Sequence, residues 1–101
     1  MSAPLRIEVT DEARAQIAAA VRWWAENRPS APGAVLEDLD RILELLAAQP
    51  AMGTKARRVK LAGVRRVTLS RIHYYVYYRV VGRTLQVLAF WHTGRGRGPR
   101  V

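Results

Sequence analysis

Residues 56–80 read ARRVKLAGVRRVTLSRIHYYVYYRV, and the spacing within them sets what the rest of the chain must supply. From Ile72 to Val80 the order IHYYVYYRV divides by strict alternation into two sets. On an extended strand Ile72, Tyr74, Val76, Tyr78 and Val80 point one way, and His73, Tyr75, Tyr77 and Arg79 the other. The first set is the more apolar and should face a packed layer. The second should then lie on an open, basic side. The stretch holds seven Lys or Arg and four Tyr without one acidic residue, so that side should attract anions.

Working outward, Val64–Leu69 reads as the strand before this one, and ARRVKLAG has room for a short strand ahead of Gly63. Val81-Gly82-Arg83 is a turn, and Thr84–Trp91 (TLQVLAFW) a further strand pairing antiparallel with Ile72–Val80. Its alternate sets are Leu85, Val87, Ala89, Trp91 and Gln86, Leu88, Phe90, His92. Both are apolar enough to predict a central strand, or one covered on two sides. The tail 93–101 is too rich in Gly and Arg for either element. Upstream, Leu5–Val9 alternates as a strand, and Thr10 or Asp11 caps a helix whose Ala13, Ile17, Ala20, Val21 and Trp24 share a face, ending near Asn27. After the turn SAPG, with Ser30 a candidate cap, Val35, Leu36, Leu39, Ile42, Leu43 and Leu46 line a second helix that stops at Gln49-Pro50. The expected fold is α+β, β-α-α-β-β-β. A helical hairpin covers one face of a small, mainly antiparallel sheet, in one domain spanning 1–101.

The chain has 101 residues and a net charge of +9, distributed unevenly. Residues 1–50 carry five Arg against eight acids, and residues 51–101 carry twelve Lys or Arg and no acid. A nucleic acid or an acidic protein segment is the partner such a field selects. There is no Cys, no apolar run of bilayer length and no signal-peptide pattern at the N-terminus, which predicts a cytoplasmic protein.

Motifs for chemistry are few. No His, Cys or carboxylate cluster predicts a metal, and no cofactor is expected. GRGRG lacks the strand–loop–helix setting of a phosphate loop. Ser30 and Ser70 have no acid and base arranged for a triad. His73 and His92 can each serve as acid or base, or as half-buried residues satisfied by backbone. Tyr75 and Tyr77 can stack on bases or simply pack. Guanidinium groups suit phosphates and carboxylates, so the strongest candidates for contact with an anionic target are basic. These are Arg57, Arg58, Lys60, Arg65, Arg66, Arg71, Arg95, Arg97 and Arg100.

Element order and the motifs QPAMG (49–53), LAGVRRVTL (61–69), YYVYYRV (74–80) and LQVLAFWHTGRGRGP (85–99) resemble the RelE/ParE superfamily of bacterial type II toxin–antitoxin systems. The resemblance spans nearly the whole chain. It implies one of two activities, each silenced by a cognate antitoxin with an acidic or amphipathic C-terminal segment in a hetero-oligomeric complex. RelE-like members cut ribosome-bound mRNA without metal; ParE-like members arrest growth by poisoning DNA gyrase and are not nucleases. Arg66 matches the first basic residue of the RNase pattern, but Thr68 occupies the place of the next. Tyr75 stands where RelE-like enzymes carry an Arg, and no Tyr follows His92. YYVYYRV with the tail WH-x-x-R is more similar to the ParE branch, so a non-enzymatic gyrase poison is the preferred reading. The alternatives are an mRNA interferase using Arg66 and His92, and an inactive antitoxin-binding homologue. Target or phosphate contact is assigned to Arg57, Arg58, Lys60, Arg65, Arg66, Arg71, Tyr75, Tyr77, Arg95 and Arg97. Antitoxin contact is assigned to Trp23, Tyr75 and Arg79.

Overall fold

The computed structural model describes residues 3–101. In chain order it contains β1 (Arg6–Val9), α1 (Asp11–Asn27), α2 (Ala34–Ala48), a 3-10 turn (Pro50–Met52), β2 (Thr54–Lys55), β3 (Arg65–Leu69), β4 (Tyr74–Val81) and β5 (Thr84–His92). The strands form one sheet in the order β1-β5-β4-β3-β2. Only β1, beside β5, is parallel to its neighbour. This is the expected α+β arrangement with one strand added. The short strand lies at Thr54–Lys55, opposite Arg66 and Arg65, and ARRVKLAG is irregular. Among the described residues no helix is long and apolar enough to cross a membrane.

Local signals explain most boundaries. Thr10 caps α1 by accepting the Ala13 N–H at 3.2 Å, and Asp11 and Glu12 complement the helix dipole. Two successive turns, Ala31 N–H to Arg28 O and Ala34 N–H to Ala31 O, occupy the stretch containing Ser30. The second helix therefore starts later, behind Gly33, with no side-chain cap. β4 starts two residues later than alternation suggested, because His73 turns the chain with φ 62° and donates its N–H to Leu69 O.

The main core lies between the helices and the sheet. Ala13, Ala20 and Trp24 of α1 and Val35, Leu39 and Leu46 of α2 pack with Ile72, Val76, Tyr78, Leu85, Val87 and Phe90. The apolar set of β4 thus faces the helices, as its alternation predicted. For β5 the expectation fails at one point. Tyr77 opposes Ala89 but Tyr78 opposes Val87, so Leu88 is the extra residue of a β-bulge. Past the bulge the parity inverts. Phe90 joins Leu85 and Val87 against the helices, while Leu88, Ala89 and Trp91 pack on the far face.

That far face is not open. Val64, Tyr77, Leu88 and Ala89 form a second buried cluster, flanked by Ala56, Val59, Tyr75, Trp91 and Val101. Tyr77, expected on an exposed surface, is only 5% exposed. The irregular segment 56–64 and the tail fold over it. They are tied by Lys60 N–H to Val101 O at 2.7 Å, and the Trp91 indole N–H reaches Arg97 O at 2.7 Å. β5 is central and covered on both sides, as its composition implied.

Tyr78 joins this sheet to the loop leaving α2. Its buried hydroxyl donates to Pro50 O at 2.7 Å and accepts the Gly53 N–H at 2.9 Å, and Arg65 donates to Gly53 O at 2.7 Å. A Cβ on Gly53 would lie 2.5 Å from the Tyr78 hydroxyl and 3.0 Å from Arg66 O. Gly53→Ala should therefore lower stability by about 1–3 kcal/mol through overpacking, measured by urea unfolding. Tyr78→Phe should cost about 1–3 kcal/mol because it strands a buried N–H. Burial raises the Tyr78 pKa above its ordinary 10.0, only partly opposed by the Gly53 hydrogen bond and Arg65. The folded state thus holds this proton more tightly than the unfolded chain. Its stabilising contribution should persist below pH 10 and fade as pH rises through the folded value; Tyr78→Phe should flatten that alkaline loss.

Candidate functional site

Side chains that face away from the helices converge along the register of β3, β4 and β5. Arg66 lies opposite Tyr77, Thr68 opposite Tyr75, and Tyr75 opposite Trp91. The Arg66 guanidinium carbon lies 4.0 Å from the Tyr75 ring centre and 5.9 Å from that of Tyr77. Tyr75 and Tyr77 meet edge to face at 6.2 Å. Further along, Arg95 stacks over Trp91 at 4.1 Å. Stacking on an aromatic face holds a guanidinium in place while leaving its N–H edge free for an anion.

Beside this stripe is a cavity of about 450 Å³, lined by Lys55, Arg57, Arg58, Arg66, Tyr77 and Pro99 among others. Four cations share one concave wall without a carboxylate. Among the described residues the ion pairs are those of Arg41 and Arg71 with α2, so none neutralises this group. Arg58 has a left-handed backbone, φ 59°, unusual outside glycine. A phosphate or another multivalent anion suits such a site: planar donors, low local dielectric beside Pro99 and Tyr77, and no competing acid.

The structure separates the other candidates. Arg65 turns towards Gly53 O on the helix side. Arg71 clamps α2: its Nη2 lies 2.8 Å from Asp38 Oδ1 and 3.0 Å from Glu37 Oε1, and its Nε donates to Asp38 Oδ2 at 3.1 Å. That arrangement compensates the one buried acid, Asp38. Its hydrogen bonds to Glu37 and then Asp38 raise the Arg71 pKa further. Lys60 is exposed and does not line the cavity, and Arg97 holds Trp91 through its backbone carbonyl. The trio assigned to antitoxin contact does not form one patch. Trp23, 45% exposed on α1, is on the helix side, whereas Tyr75 is on the far face. Arg79 is engaged in a row across β4, β5 and β1, donating to Gln86 Oε1 at 2.9 Å, while Gln86 donates to Glu8 Oε1 at 3.1 Å.

Arg66 and His92, the pair an RNase reading requires, lie on opposite faces. His92 opposes Tyr74 and meets its ring edge on at 5.2 Å on the helix side, and its Nδ1 accepts the Gly94 N–H at 2.9 Å. Two contributors to the basic site escaped the sequence. Lys55 lies in a strand of two residues, too short for any periodicity, and alternation grouped Trp91 with Leu85 and Val87, from which a bulge separates it without leaving a mark in the sequence.

This architecture also appears in a solved structure described as the chromosomal ParDE TA system from P. aeruginosa. It is 23% identical, with a TM-score of 0.72 over 90% of this chain and 98% of the other. No curated protein gives a significant sequence match. Residues 7–96 match the family described as ParE toxin of type II toxin-antitoxin system, parDE. The chain therefore belongs to the ParE toxin family of type II toxin–antitoxin systems.

On a heparin column Arg66→Ala and Arg58→Ala should each elute at lower salt, since neither cation is in an ion pair. Arg58→Ala should leave the melting temperature unchanged, and Arg66→Ala should lower it slightly through the lost stacking on Tyr75. Arg71→Ala should shift elution less and lower the melting temperature more, because its charge is committed to α2.

Proposed function

We propose that this protein is a toxin that poisons DNA gyrase through the basic, aromatic far face of its sheet, and is silenced in the cytoplasm by a cognate antitoxin. The observation that carries the reading is the separation of Arg66 from His92 by the thickness of the sheet. One phosphodiester cannot meet both, so the site suits binding rather than general acid–base cleavage. Convergence of Lys55, Arg57, Arg58 and Arg66 around a cavity supports contact with the phosphates of gyrase-bound DNA or with an acidic gyrase surface. Membership of the ParE family agrees with it.

An antitoxin is supported separately. The structural neighbour is described as a ParDE system, and the helical hairpin of this chain exposes Trp23, Leu36 and Leu45. An amphipathic segment laid on these residues would follow ordinary helix-in-groove recognition. Its acids would meet the basic half of the domain, giving a hetero-oligomer in which toxin and antitoxin charges offset one another.

Purified protein should inhibit supercoiling by gyrase or trap broken DNA, and leave ribosome-bound mRNA intact. Arg66→Ala should raise the half-inhibitory concentration by about tenfold, the loss of roughly one charge-assisted hydrogen bond. Codon-phased mRNA cuts with normal supercoiling would instead support the ribosome-dependent nuclease. Tight antitoxin binding with no growth arrest on induction would support an inactive homologue.

A further inference from the structure

The helix side carries a second cavity, about 440 Å³, that the basic face does not use. Trp23, Trp24, Ile72 and Tyr74 supply apolar wall, and Arg28, Arg71, His73 and His92 supply polar groups. Small-molecule sites have this size and this mixture, mostly apolar with a few convergent donors. No carboxylate lines it.

Three features distinguish it from a packing defect. Trp24 is 9% exposed, yet its indole N–H is buried without an acceptor among the described residues. Buried donors are almost always paired, so a bound oxygen that the ring shifts to meet would remove a standing penalty. Arg28 sits 5.6 Å from the Trp23 ring centre and spends one nitrogen on Asn27 O at 3.2 Å, leaving most of its donors available. Arg71, by contrast, is committed to Glu37 and Asp38. Finally, His73 occupies a left-handed backbone where glycine would be unstrained, fixed by its N–H to Leu69 O and by Thr93 N–H to its own carbonyl, each 2.9 Å. The fold tolerates that strain and thereby keeps an imidazole at the cavity. His92 accepts the Gly94 N–H at Nδ1, which leaves its Nε2 edge as the donor.

We propose that this cavity binds a small organic monocarboxylate with a flat aromatic body. The ring packs against the Trp23, Trp24 and Tyr74 walls, where Tyr74 is itself held stacked on Phe90 at 4.5 Å. The carboxylate pairs with Arg28 and, on a small shift of the buried Trp24 ring, accepts a hydrogen bond from its indole N–H, with the histidines as further donors. The site lies across the sheet from the basic cavity, so it stands or falls independently of gyrase poisoning.

Phenylacetate is a suitable probe, titrated into the ¹⁵N-labelled full chain. The indole N–H resonance of Trp24, assigned by its absence in Trp24→Phe, should shift saturably at millimolar concentration. Phenylacetamide, the neutral counterpart, should bind about tenfold more weakly or worse, the scale of one charge-assisted contact. Arg28→Ala should weaken phenylacetate to the same degree with unchanged thermal unfolding, since Arg28 is exposed. Absence of a saturable shift, an equal response to phenylacetamide, or undiminished affinity in Arg28→Ala would each overturn the proposal. Should Trp24→Phe fail to fold, the amide and Arg28→Ala comparisons still decide it.

Discussion

A single extra residue in β5 determines how the two faces of this sheet are used. Opposite Tyr77 and Tyr78, Leu88 is inserted as a bulge, and every side chain beyond it changes side. Phe90 is thereby delivered to the helical core, and Leu88, Ala89 and Trp91 to the far face. Without the bulge Phe90 would face away from α1 and Trp91 would collide with the helix layer. With it, β5 has an apolar surface on both sides, and the far side needs a cover. The segment 56–64 and the tail provide one, although neither contains regular structure. Their basic residues consequently lie around the edge of a small core instead of in free solution.

Charge is sorted by the same geometry. Arginines that turn to the helix side find partners: Arg65 at Gly53 O, and Arg71 at Asp38 and Glu37. On the far side Arg66 lies over Tyr75 and Arg95 over Trp91, neither in an ion pair, while Arg79 donates to Gln86. The acids of the chain lie in its first half, mostly on the helices, so the far face retains its positive field. A partner that brings negative charge meets cations already desolvated on one side and needing little rearrangement. The chain therefore presents a basic surface whose charge is set by topology as much as by composition.

Much of this was legible in the residues themselves. Long amphipathic patterns located α1 and α2 within a few residues, and the alternation IHYYVYYRV placed Tyr74, Val76 and Tyr78 towards the helices and Tyr75 and Tyr77 away from them. His73, grouped with the latter, lies instead in the turn ahead of β4 on the helix side. Of the two caps the residues offered for α1, Thr10 and Asp11, the first is the one used. What failed was local and short. A two-residue strand has no period, a bulge is silent in a count of alternate positions, and a Gly- and Arg-rich tail gives no sign that Val101 will be half buried in the cluster around Tyr77. The candidate site was legible as a set of basic residues but not as a geometry. Sequence could not tell that Arg71 is internally neutralised, that Lys55 joins Arg66, or that Arg66 and His92 are on opposite faces. Each depends on where the chain crosses the sheet, and that is fixed only by tertiary packing.

The proposed contact with gyrase is made by the far face of the sheet and not by the helical hairpin. Hydrogen–deuterium exchange of the protein bound to gyrase on DNA tests it most directly. Added protection is expected at Thr54–Arg58, along β3 and in the tail from Arg95, with α1 and α2 exchanging as in the free protein. Protection confined to the helices around Trp23 and Leu36, with the far face unchanged, would contradict it.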